Sequence, residues 1–268
     1  MERRPLGRLG LTVPVVGMGT WKTFDVRGSS DEMARRDVVD AMLAGGGNLF
    51  DSSPMYGEAE RVLAKSLEGR RDQALVATKV WTSDDREAER QMANALSWYG
   101  GVVDVYQVHN LVAWERRLLQ LEALKAEGKV RAVGATHYLH GSLPDLMEVM
   151  RTGRLDMVQV PYNAGDRTVE RELLPLAEEL GLGVLVMKPL GTGRLLAAPR
   201  GFDPARYEPY GVSTWAQVLL KWILSDPRVS AVIPATARPA HARDNCVAGD
   251  PPWFEASERE RIARLLQA

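Results

Sequence analysis

Short apolar runs alternate with amphipathic stretches along the whole chain. Val13 to Gly19, Gly47 to Asp51, Ala74 to Thr78, Val102 to Val108, Val130 to Ala135, Met157 to Val160, Gly183 to Met187 and Val229 to Ile233 read as eight strands. Most are nearly continuous in apolar residues, as expected of strands covered on both faces and hence parallel. Between them the apolar period lengthens. Residues 32 to 44 are helical in character, and Gly45-Gly46-Gly47 follow as a stop. Ala59, Val62, Leu63 and Leu67 share a helix face ended by Gly69. Further faces are formed by Ala88, Met92, Ala95, Leu96 and Tyr99, and by Leu118, Leu121, Ala123 and Leu124 before Gly128. Leu143 to Met150 predicts a short helix, and Leu173, Leu176, Ala177 and Leu180 another, with Pro175 tolerated in its first turn. Trp215, Val218, Leu219, Trp222 and Ile223 form a strong core-facing stripe, and a last helix is expected near 257 to 267.

Eight βα units in about 250 residues suit a TIM barrel. The expected fold is therefore α/β: a single (β/α)8 barrel spanning residues 1–268 as one domain, with an N-terminal β-hairpin and a short C-terminal loop. The longest irregular stretch, 189 to 212, is of a length often found in functional loops.

Composition narrows the class of partner. A net charge of −1 and a pI near 6.5 give no basic footprint for nucleic acid. No apolar run approaches the roughly 18 residues that span a bilayer, and Gly and Pro interrupt the N-terminal segment where a signal peptide needs a clean apolar core. Cys246 is the single cysteine, so an internal disulfide and a cysteine-cluster metal site are excluded and a reducing, cytoplasmic setting is expected. The chain is expected to act as a monomer.

Polar residues collect just after the predicted strands: Asp51, Tyr56, Lys79, His109, Thr136-His137, Gln159 and Lys188. In barrels of this kind that end carries the chemistry. Singly, such residues are usually caps or solvated side chains. Together they make chemical sense. A phenol titrates near 10, and a neighbouring ammonium favours its ionised form, so Lys79 is expected to lower the value for Tyr56. Asp51 can hold Lys79 charged, and His109 can orient a carbonyl.

These residues sit in segments that resemble the aldo-keto reductase family end to end. The matching motifs, in family order, are GMGTW (17–21), FDSSPMYG (50–57), ATKVW (77–81), DVYQVHN (104–110), GKVRAVGATH (128–137), VQVPYN (158–163), MKPLGTG (187–193) and VIPATARPAHARDN (232–245). The resemblance implies reduction of aldehydes and ketones by hydride from a nicotinamide coenzyme. It implies a catalytic set of Asp51, Tyr56, Lys79 and His109, with Tyr56 as proton donor and no metal. Thr20 and Trp21 match the first loop, near coenzyme and substrate. Thr136-His137 stands where the family commonly has a Ser-Asn pair on the carboxamide. Gln159 matches the carboxamide-binding glutamine. Met187 replaces a tyrosine that often stacks on the ring, and Lys188, Pro189, Leu190 and Gly191 are expected along the pyrophosphate.

At the adenosine end Thr236, Arg238, His241, Asp244 and Asn245 match contact positions. Ala235 and His241 replace a lysine and an arginine common in NADP-dependent members, which leaves Arg238 and the start of a helix at Pro239 for the 2′-phosphate. NADPH is the expected coenzyme, with NADH possible. Trp21, Met55, Tyr56, Trp81, His109 and Asn110 should line a shallow substrate pocket, and Trp253 and Phe254 either reach over its mouth or pack in the core. Two alternatives remain open from the residues: a nicotinamide-binding regulatory member without turnover, and a TIM-barrel sugar-phosphate enzyme that binds no nicotinamide.

Overall fold

The computed structural model describes residues 1–266. Two short strands, β1 (Arg3–Pro5) and β2 (Thr12–Pro14), form the antiparallel N-terminal hairpin. Eight strands then form a parallel sheet in strict chain order: β3 (Met18–Gly19), β4 (Leu49–Asp51), β5 (Leu75–Val80), β6 (Val103–His109), β7 (Val130–Thr136), β8 (Met157–Pro161), β9 (Gly183–Met187) and β10 (Ala231–Val232). The ends meet through bridges from Val16 to Val232 and from Gly19 to Ala235, which close the barrel.

The expected first strand is split. Val13 and Pro14 belong to the hairpin, Met18 and Gly19 form the barrel strand, and Val16 joins the barrel through a single bridge to Val232. Between them Gly17 packs closely, since a Cβ there would stand 2.8 Å from the carbonyl oxygen of Leu49. The last strand is likewise two residues rather than five. Short strands at the seam still align, because each needs only one or two parallel bonds to its neighbour.

Helices cover the outside in alternation: α1 (Ser29–Ala44), α2 (Ala59–Ser66), α3 (Asp85–Trp98), α4 (Trp114–Ala126), α5 (Leu143–Arg151), α6 (Leu173–Leu180) and α7 (Trp215–Leu224). Then come α8 (Pro239–Val247) and α9 (Ala256–Leu265). Residue 267, the expected end of the last helix, lies outside the described residues. Pro175 falls in the first turn of α6, and Gly181 ends that helix in the left-handed region at φ 64°. The α7 start is held by a capping box, Thr214 to the Gln217 amide and Gln217 back to the Thr214 amide.

The core has two parts. Leu49, Leu75, Ala77, Val105, Ala132, Met157, Leu185 and Ala231 fill the barrel interior with Leu6 and Val13 of the hairpin beneath them. The larger cluster lies between barrel and helices and includes Trp222, Tyr99, Phe50 and Leu219. Phe254 packs in this cluster against Tyr207 and Tyr210, and Trp253 bonds Glu2 beside Arg4, so neither reaches the barrel mouth. No helix among the described residues is long and apolar enough to cross a membrane.

Candidate active site

The strands of the barrel place their polar residues at one end. Asp51 ends β4, Lys79 is one residue from the end of β5, His109 ends β6, Thr136 ends β7 and Met187 ends β9. Side chains alternate across a strand, so Lys79 points inward while Thr78 points out toward α2. Lys79 is fully buried and donates to both Asp51 oxygens at 2.7 and 2.8 Å and to the Ser52 carbonyl at 2.7 Å. Three acceptors saturate its three hydrogens. Burial disfavours the ammonium, but the Asp51 carboxylate and its hydrogen bonds outweigh that and hold Lys79 above the ordinary lysine value.

The loop after β4 delivers the phenol. Ser53 caps a short turn, Pro54–Tyr56, by accepting from the Met55 amide. Gly57 follows at φ 64°, where a Cβ would also collide with the Asp25 carboxylate that accepts from the Glu58 amide. Tyr56 is thereby held with its ring centroid 5.3 Å from Lys79 Nζ and edge-on to the His109 ring at 5.8 Å. The net effect on the phenol is opposite to the sequence-based expectation. Burial raises its pKa, and Lys79 only partly offsets the rise. Desolvation of the phenolate is the larger effect in this half-closed cleft. Burial also pushes the His109 value down to about 2, aided by Lys79, so the imidazole is neutral. Its Nδ1 lies 2.8 Å from Ser53 Oγ.

A cleft of about 590 Å³ opens above these groups. Thr20, Trp21, Met55, Tyr56, His109, Asn110, Thr136, Gln159, Met187, Lys188, Pro189 and Leu190 all line it, with Asp51 at its floor. Gln159 presents a buried Oε1 without a partner, and Thr136 donates its hydroxyl hydrogen to the Gln159 carbonyl, keeping its lone pairs free. An unpaired acceptor beside a hydroxyl suits a primary carboxamide, so these residues fit a nicotinamide head group.

Other expected contacts stand elsewhere. Trp81 is on the rim, 6.4 Å from the His109 ring. His137 lines a second cavity with Asn110, Trp114 and Asp145, and its Nδ1 accepts from the Leu139 amide. Gly191 is buried against Leu195. Pro234 and Ala235 line the cleft's far end, while Thr236, Arg238, His241, Asp244 and Asn245 lie beyond it, on and before α8. Asp244 is held by Gln217 Nε2 at 2.6 Å and Thr214 Oγ1 at 3.3 Å, and Asn245 is buried. Among the described residues no cluster of His, Cys, Asp or Glu could hold a metal.

Four residues of the site escaped the sequence reading. Gln107 donates to Asp51 Oδ1 at 3.3 Å, Ser52 joins Thr20 at 2.9 Å, and Ser53 joins His109. Glu60, in the first turn of α2, is buried and accepts from Thr78 Oγ1 at 2.5 Å. Burial raises its pKa from the ordinary 4.5 to about 7. The period-2 signal of β5 puts Thr78 outward, but nothing local says which helix residue meets it.

Glu60 should therefore cost stability above neutrality. The folded state keeps a proton that the unfolded chain releases near 4.5, so the contribution is lost as pH rises from about 4.5 to 7. Glu60→Gln is expected to be more stable than the native protein at pH 8, by up to about 3 kcal/mol at roughly 1.4 kcal/mol per pH unit, and equal to it near pH 4. Urea denaturation at the two pH values checks this. Equal stability at pH 8 would show that the carboxylate is compensated.

A parallel barrel with a buried lysine–aspartate pair, phenol and imidazole at the carboxyl end of the strands is an enzyme of the (β/α)8 class, with room for an extended ligand. Comparisons with known proteins carry this further. Residues 15–208 match the Aldo/keto reductase family. Methylglyoxal reductase YeaE of Escherichia coli is 29% identical over 248 residues, 88% of this chain and 85% of that protein. An NADH-specific methylglyoxal reductase of the same organism is 26% identical over 315 residues, 92% and 93% of the two chains. An aldo-keto reductase from Klebsiella pneumoniae, solved with NADPH, superposes with a TM-score of 0.81 at 25% identity, covering 99% and 95%. The chain belongs to the aldo/keto reductase family and is an NAD(P)H-dependent oxidoreductase.

Proposed function

We propose that the protein reduces small aldehydes and ketones to alcohols with NADPH, using Tyr56 as the general acid. The observation that carries this reading is the buried Lys79, tied to Asp51 and facing the Tyr56 ring at 5.3 Å in the same cleft as His109. The bound coenzyme supplies hydride to the carbonyl carbon. The chain's own residues do the rest. His109 and Tyr56 hold the carbonyl oxygen between an imidazole and a phenol. Tyr56 gives its Oη proton to that oxygen as negative charge develops, and Lys79 stabilises the resulting phenolate. Asp51 and Gln107 keep the lysine placed and charged. Trp21, Met55 and Trp81, each about two-fifths exposed, supply an apolar rim for a small uncharged carbonyl compound. The relatives named for methylglyoxal make α-dicarbonyls the first substrates to test.

The same reading takes the whole chain as one reductase unit acting as a monomer in the cytoplasm, where its single buried cysteine suits reducing conditions. Turnover of any aldehyde separates it from a regulatory subunit. Quenching of tryptophan fluorescence by NADPH and by NADH measures the binding of each coenzyme.

Coenzyme choice depends on the cation available to a 2′-phosphate. Arg238 is exposed at the N-cap of α8, directly before Pro239, and Ala235 leaves the neighbouring position neutral. One charge-assisted hydrogen bond contributes roughly 1.5–3 kcal/mol, so NADPH should be preferred by about ten- to a hundredfold. Arg238→Ala is expected to erase most of that preference with NADH activity nearly unchanged, read from KM for both coenzymes at fixed ionic strength. A native preference for NADH, as in one relative, would reject the assignment, and so would equal weakening of both coenzymes.

A further inference from the structure

The position of the one hydrogen on His109 follows from a residue that none of the motif roles covers. Ser53 is fully buried, and its Oγ lies 2.8 Å from His109 Nδ1. The imidazole is neutral, so one nitrogen carries a hydrogen and the other accepts. Counting hydrogens decides which. Ser53 Oγ accepts the Met55 amide hydrogen at 3.2 Å. Its own hydroxyl hydrogen has one acceptor in reach among the described residues, His109 Nδ1. If Nδ1 carried the hydrogen instead, the serine would accept twice, and its buried hydrogen would be left without a partner, which folded proteins avoid.

We infer that Ser53 is a positioning residue whose hydroxyl donates to His109 Nδ1 and so places the ring's hydrogen on Nε2, the nitrogen left for the cleft. Nε2 then donates to the same carbonyl oxygen that receives the proton of Tyr56. Ser53 also caps the turn Pro54–Tyr56. One hydroxyl therefore orients the imidazole and fixes the turn that carries the phenol. The groups around the ring agree with a neutral, Nε2-protonated histidine. Tyr56 meets it edge-on, Trp81 lies tilted to it at 6.4 Å, and Lys79 opposes a second proton. The inference rests on the proposed role of Tyr56 and His109 at a carbonyl.

The test is nitrogen NMR on the full chain labelled with ¹⁵N-histidine, with and without NADP⁺. The chain has four histidines, so the His109 signals are assigned by their loss in His109→Gln. The expected result is an acceptor-type Nδ1 and a hydrogen-bearing Nε2. Ser53→Ala should give a mixture of tautomers and slow single-turnover hydride transfer about fivefold to tenfold, the worth of one hydrogen bond, with NADPH affinity unchanged. Ser53→Thr keeps the hydroxyl and should restore both. A hydrogen on Nδ1 in the native protein overturns the inference, as does a Ser53→Ala protein with native tautomer and native rate. Tyr56→Phe run in parallel separates the two levels. If it retains turnover the functional reading fails, whereas the tautomer measurement judges Ser53 independently of turnover.

Discussion

Tyr56→Phe is expected to lose hydride transfer by on the order of 10²-fold or more, the usual contribution of a positioned general acid. Coenzyme affinity should be almost unchanged. The substitution keeps the ring that packs edge-on to His109 and under Lys79, so the fold has no reason to move. Only the proton donor is removed. Because burial raises the phenol's pKa despite Lys79, the donor stays protonated through the neutral range. Reduction in the native protein should therefore hold up across neutrality and fall only as pH rises toward the titration of the phenol. The measurement is single-turnover oxidation of bound NADPH by an α-dicarbonyl, beside coenzyme binding by fluorescence. A variant that keeps half of its turnover would sink the assignment of Tyr56.

Lys79→Met should be nearly as damaging, for two separate reasons. It removes the cation that stabilises a phenolate at Tyr56, and it leaves Asp51 buried without its lysine partner. Breaking a buried pair from one side typically costs about 3–5 kcal/mol, although Asp51 can relieve part of this by taking a proton. Burial already favours the protonated carboxyl. Turnover should collapse, and no change of pH should restore it, because methionine has no proton to regain. Lys79→Arg should not rescue. Its planar guanidinium needs more room than a fully buried ammonium leaves, and its donors diverge differently from the three acceptors now satisfied. Melting temperature and turnover measured together separate the two effects. Native activity in either variant would make Lys79 merely structural.

Much of the site was legible in the chain because its members mark strand ends. Asp51, Lys79, His109 and Thr136 each close an apolar run, and a parallel barrel gathers such ends on one face. Local sequence could not reach the residues that act from behind. Gln107 lies mid-strand and reads as one polar residue in an apolar run, yet it meets Asp51 from 56 positions away. Glu60 reads as a solvated helix residue, yet Thr78 holds it in the core. His137, adjacent to Thr136 in the motif, faces a second cavity because neighbouring side chains on an extended backbone point opposite ways.

The order and number of strands, the helices between them and the end of the barrel that bears polar groups were determined by the sequence alone, since hydrophobic period and glycine stops are local properties. The barrel's seam was decided by tertiary structure, where Gly17 and Gly19 allow close approach to Leu49 and Ile233, and Val16 and Gly19 bridge to Val232 and Ala235. Tertiary structure also decided the electrostatics. Lys79 is adjacent to Asp51 only through the pairing of β4 with β5, and burial, which no local pattern records, raises the phenol that the lysine by itself would lower. Charges and hydrogen bonds depend on distance and solvent access, and the chain acquires both only when its strands pair and its helices close over them.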